Sequence, residues 1–184
     1  MRGFAIALLV VALFLSGCSR VGSPVVTPSG RGVSASDQAA IYSLVVRRLY
    51  GPDDTGGGGI PKPAIYLVRA TDITEPESRS GESTGAMVPD AVQRQVSASL
   101  SDLKTRVVWV DRFESVSRDS DTGIVSGGGV IVRLGDIRLV GAESAHVAGS
   151  IYFANLGAGG RVYVLDRAGG VWKITGTTGV EWVS

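Results

Sequence analysis

Ser83, Asp111 and His146 are the residues of this chain whose types and order first suggest joint chemistry. Ser83 sits in the G-x-S-x-G string Gly81-Glu82-Ser83-Thr84-Gly85, and Asp111 and His146 follow in the order serine, acid, histidine. Such a set would activate a serine hydroxyl for attack on an acyl carbon, provided the serine stands on a sharp turn between a buried strand and a helix. The surroundings do not supply that turn. Glu75, Glu77, Arg79 and Glu82 make the stretch polar, and repeated strand–helix units are missing, so the string reads as a surface loop.

Other site chemistries fare no better. His146 is the only histidine and Cys18 the only cysteine, so no multi-ligand zinc site is expected. Asp53-Asp54 ahead of Gly56–Gly59, and Asp119 with Asp121, offer carboxylate oxygens without the spaced ligand set of an EF-hand, and both read as solvated loops. No glycine run has the pattern of a phosphate-cradling loop, so no cofactor and no metal are expected. The 18 basic and 17 acidic side chains nearly cancel. Arg47, Arg48, Arg69, Arg94, Lys104, Arg106 and Arg133 are scattered among acids; a nucleic-acid partner would call for a basic run able to neutralise successive phosphates.

The strongest chemical signal is at the start. Arg2 precedes Phe4–Leu15, an uncharged apolar run shorter than the ~20 residues a membrane span needs but of signal-peptide proportions. Leu15-Ser16-Gly17-Cys18 follows it directly. This resembles the lipobox of bacterial lipoproteins at all four positions. The resemblance implies diacylation of the Cys18 thiol, cleavage before it, and acylation of the new amine. Two or three acyl chains would anchor the protein stably, at ~0.8 kcal/mol per buried methylene. The expectation is an extracytoplasmic lipoprotein of the bacterial cell membrane or envelope, with the membrane as its partner through lipid on Cys18.

Positioning elements come next. Residues 1–17 read as signal peptide and 18–35 as lipidated cysteine and flexible tether. The stretch Ser19–Ala35, rich in Ser, Gly and Pro, would reach on the order of 20–25 Å. A single domain is expected over 36–184. Ser36 and Asp37 are placed to cap a helix with apolar positions Ile41, Leu44, Val45 and Leu49, ended by Gly51 and Pro52. A strand is expected over 64–70 and a mobile loop over 71–85. A second helix follows, with Pro89 in its first turn and Val92, Val96, Leu100 and Leu103 as its stripe.

Strands are then expected over 105–111, 124–134, 146–154, 161–167 and 171–175, with a short sixth over 180–183. Gly157–Gly160 and Ala168–Gly170 read as hairpin turns, and Gly127–Gly129 as a bulge or bend within a long strand. The tryptophans at 109, 172 and 182, with Phe113, Tyr152 and Tyr163, fall in or beside these strands and read mainly as packing, with a cone mouth or exposed sheet face as the other place for them. Alternation puts Ala145, Val147, Gly149, Ile151 and Phe153 on one face, and His146, Ala148, Ser150 and Tyr152 on the other.

Two helices and then a meander make an α+β layout, with N-terminal helices packed on a curved antiparallel sheet. The order is similar to the nuclear transport factor 2-like or cystatin-like architecture, in which such a sheet forms a cone. The most family-like segment is the ending Arg161–Ile174. The resemblance implies that a histidine and an aspartate inside the pocket can serve as acid and base, which makes His146 and Asp111 the candidate catalytic pair of a small lyase, isomerase or hydrolase. The leading expectation is instead a non-enzymatic binding or interaction module, whose partner is a small apolar ligand or an envelope protein.

Overall fold

Ser34 starts the first helix, α1 (Ala35–Tyr50), in extended backbone conformation, with its Oγ accepting the Asp37 N–H at 3.1 Å. The cap therefore falls before the expected Ser36 and Asp37. Those two are already helical, and Asp37 in the first turn complements the helix dipole, as Arg47 and Arg48 do in the last. Gly51 ends the helix by donating its N–H to the Arg47 carbonyl at 3.1 Å. The computed structural model describes residues 32–54, 62–71 and 85–184, and Val33–Ser184 form one compact unit. Cys18, the leader and most of the tether lie outside the described residues, as does Ser83.

The strands are β1 (Ala64–Val68), β2 (Ala70–Thr71), β3 (Ala86–Met87), β4 (Arg106–Val110), β5 (Val130–Leu134), β6 (Arg138–Leu139), β7 (Ser144–Ala154), β8 (Gly157–Ala168) and β9 (Val171–Val183); the second helix, α2, spans Asp90–Ser99. Seven strands form one sheet in the order β4-β1-β5-β7-β8-β9, with β6 beside β7; β2 and β3 pair separately. The fold is α+β, but the sheet is mixed and not wholly antiparallel. β1 runs parallel to both β4 and β5. The reason lies in the connections: α2 crosses between β1 and β4, as parallel neighbours require, and the chain from β4 to β5 passes beyond β1.

Glycines account for the other differences. Gly157–Gly160, expected as a turn, lies inside β8 and pairs with β7 from Ala154 back to Ser150. Gly169 and Gly170, at φ 59° and 80°, do make the β8–β9 turn, the pair of positive φ values that a two-residue hairpin demands. Gly127 and Gly128 close a short 3-10 turn ahead of β5, so the expected strand starts only at Val130. The two expected strands at the end are one, β9, whose pairing with β8 slips at two places. In both, the extra residues fall on β9, at Thr175 and around Gly179.

Both helices cover one face of the sheet. Ile41, Val45 and Leu49 of α1, with Val92 and Val96 of α2, pack on Ile65, Leu67, Val132, Val147, Ile151, Tyr163 and Leu165. Close approach needs Gly149: a Cβ there would meet Val45 Cγ1 at 2.8 Å and Leu49 Cδ1 at 3.1 Å. On the opposite face the segment between β4 and β5 folds back, packing Val116 and Val125 on Val68 and Ile131. Among the described residues no helix is long and apolar enough to cross a membrane.

Candidate functional site

Register across four strands builds a depression on the sheet face opposite the helices. Arg133 of β5 pairs with Ser150 of β7, Ser150 with Gly160 of β8, and Gly160 with Trp182 of β9. Two small residues thus separate two large ones over three strand spacings, about 14 Å. The neighbouring row is Ile131, Tyr152 and Ala158. Phe113 and Arg118 approach from the segment after β4, and a cavity of about 290 Å³ results, also lined by Asn155 and Ser184.

Its walls are ordered by rings and guanidiniums. Phe113 meets Tyr152 edge to face, centroids 5.1 Å apart at 83°. Arg118 Cζ stands 4.2 Å from the centre of the Phe113 ring and 5.8 Å from that of Tyr152, and Arg133 Cζ is 5.9 Å from Phe113. Tyr152 Oη lies 3.0 Å from the Gly123 carbonyl oxygen and 2.9 Å from Asn155 Oδ1, donating its one proton to either. Gly123 must be glycine. Its φ is +69°, and a Cβ would fall 2.2 Å from Asn155 Oδ1. Among the described residues lining the cavity there is no histidine and no carboxylate side chain.

The expected acid–base pair is not brought together. Asp111 follows β4, with Oδ1 accepting from Arg69 Nη1 at 2.9 Å and its side chain 70% exposed. His146 is on β7, its Nδ1 3.4 Å from Arg138 Nη2. Between β4 and β7 lie β1 and β5, so the two residues are separated by at least about 14 Å. His146 does share its face with Ser150 and Tyr152, but stands four residues along β7 from Ser150, the nearest residue of that strand to line the cavity.

Asp53 and Asp54 are not solvated. Asp54 pairs with Lys62 Nζ at 2.5 Å, both side chains at 3% exposure or less. Asp53 accepts from Arg48 Nε and Tyr163 Oη, each at 3.0 Å, and faces Arg161 at 3.3 Å. Burial, then the Asp53 charge, push the Tyr163 phenol far above its usual pKa. Asp119 is exposed, its Oδ1 accepting from Asp121 N, Thr122 N and Thr122 Oγ1 as a turn cap; the Thr122 bonds hold its carboxyl below the usual value. Among the described residues no three His, Cys, Asp or Glu side chains gather as a metal site would require.

Two tryptophans belong to the helix-covered face. Trp109 donates to Ser97 Oγ at 3.0 Å and Trp172 to Asp37 Oδ1 at 2.9 Å. Trp182 alone of the three lines the cavity. A second hollow, about 350 Å³, lies beside Tyr42, Thr71 and Asp136, but its hydroxyls are engaged: Thr71 Oγ1 donates its one proton to either Asp136 or the Ala86 carbonyl, and Tyr42 donates to the Gly135 carbonyl at 3.3 Å.

Arg118, Asn155 and Ser184 carry no signal in the sequence, whereas alternation places Ser150 on the face that bears the cavity. Alternation within β5 was available for Arg133, since Val132 and Leu134 on either side of it face the core. Comparison of the chain with known protein families, with curated proteins and with solved structures found no match.

Proposed function

We propose that this protein is a membrane-anchored extracytoplasmic lipoprotein, held by lipid on Cys18, whose domain is a non-enzymatic binding module. The observation that carries the binding half is the row Arg133, Ser150, Gly160, Trp182, which leaves room for a ligand between a guanidinium and an indole. A volume of about 290 Å³ is at the small end of ligand sites, whose polar groups are few and fixed in place. The anchoring half rests on the lipobox and the apolar run before it.

A cone of the nuclear transport factor 2-like or cystatin-like kind belongs to the same proposal. The meander β7–β9, with helices on one face and a cavity on the other, supports it; the parallel set β4-β1-β5 departs from that pattern.

Two measurements test the reading. Cys18→Ala protein is expected in the soluble fraction, and its retention on membranes through a high-salt wash would refute the anchor. Native mass spectrometry of the full protein extracted from its own host is expected to show a mass excess that disappears on denaturation. A native mass equal to the denatured one would refute the binding module.

A further inference from the structure

We infer that the cavity on the open sheet face takes a small organic anion carrying a flat apolar group. The inference rests on the binding-module reading and names its ligand class. Arg118 and Arg133 stand 4.2 and 5.9 Å from the same Phe113 ring, which brings two permanent cations to one wall. Among the described residues no carboxylate pairs with Arg118, whose contacts are the faces of Phe113 and Tyr152. Arg133, only 6% exposed, forms part of the same wall, and Arg118 is the cation offered to an occupant.

Opposite the guanidiniums, Trp182 supplies an apolar wall, and Ser150 and Gly160 supply a floor with almost no side chain. A carboxylate or phosphate-type head fits a planar fork at one end, because guanidinium geometry matches two oxygens at once. A ring fits the indole at the other. Inorganic anions lack the second part and neutral rings lack the first.

The test uses the full-length protein in detergent with 5-fluorotryptophan in place of tryptophan, read by fluorine NMR. Trp182 reports the cavity, while Trp109 and Trp172 on the covered face report the fold. The probes are benzoate, its neutral isostere benzamide, and inorganic phosphate. Benzoate is expected to move the Trp182 resonance saturably and leave the other two in place, with benzamide and phosphate each roughly 10-fold weaker or more. Arg118→Gln is expected to weaken benzoate by about 10-fold without changing the response to benzamide.

Benzamide matching benzoate would overturn the anion, and phosphate matching benzoate would overturn the ring; in both cases the binding module stands. No Trp182 response to any probe up to about 10 mM, a concentration that detects even millimolar affinity, would overturn the inference outright. The native mass measurement then decides the binding module independently.

Discussion

Trp182 lies over Gly160, its partner across β8 and β9, so closely that a Cβ on residue 160 would come within 2.8 Å of the indole Nε1. The same added atom would sit 3.0 Å from Ser150 Cβ and 3.1 Å from the Gly149 carbonyl. The glycine is thus the floor on which the aromatic wall of the cavity rests.

Gly160→Ala is therefore expected to displace the indole and cost about 1–3 kcal/mol, the usual penalty of overpacking. Gly176→Ala on β9, where nothing lies within 4 Å, is expected to be neutral or slightly stabilising. Urea midpoints of the two variants check the contrast. Equal midpoints would remove the packing role of Gly160.

Ser150 forms the other half of that floor. Ser150→Val places two methyl groups between Arg133 and the indole, in a residue type that strands accept. Loss of the benzoate response at Trp182, with Trp109 and Trp172 resonances unmoved, is the expected outcome. A variant that binds as wild type does would show that the ligand lies elsewhere.

Asp37 sets a pH dependence. The Trp172 indole bond foremost, then the Ser34 hydroxyl and the Arg167 charge, hold its carboxyl below the ordinary value of 3.8. Because the folded pKa is the lower one, this stabilisation is complete above the unfolded value and is lost as pH falls through the folded one. The stability gap between wild type and Asp37→Asn should be full near about pH 6 and close progressively below about pH 4. Denaturant midpoints across that range decide; a gap independent of pH would remove the carboxylate from the account.

Lys62→Met withdraws the ammonium from Asp54, a carboxylate whose side chain is 3% exposed. Breaking a buried pair from one side costs about 3–5 kcal/mol, whereas replacing both partners with apolar groups is often close to neutral. The double variant Lys62→Met, Asp54→Leu is therefore expected to recover most of the loss in thermal unfolding. A double variant no better than the single one would show that the pair is not an isolated unit.

The helices were legible from their stripes, since Ile41, Val45, Val92 and Val96 do face the core. The parallel pairing was not, although its cause was present: a helix between two apolar runs, 64–68 and 106–110, is itself the sign of a crossover. Glycine carried two meanings that composition does not separate. At 169 and 170 it makes a turn through positive φ, while at 160 it makes room for an aromatic on the next strand, a relation visible only once the register is known. The cavity was hidden for the same reason, because Arg133, Ser150, Gly160 and Trp182 meet only through pairings between distant segments. Alternation did place His146, Ser150 and Tyr152 on one face, but it says nothing of how far β4 and Asp111 stand from them.

The slips in β9 bear on how copies of this protein coexist. As one of the sheet's two edge strands, with β4 the other, the thirteen-residue β9 would otherwise offer a long unpaired side, a template along which a strand of another copy could zip. Its extra residues at Thr175 and around Gly179 interrupt that row of donors and acceptors twice. Thr175 also turns its hydroxyl back onto Asp166 at 2.7 Å. No long run of β9 then presents a regular ladder, so at this edge a strand of another copy finds only short stretches to pair with.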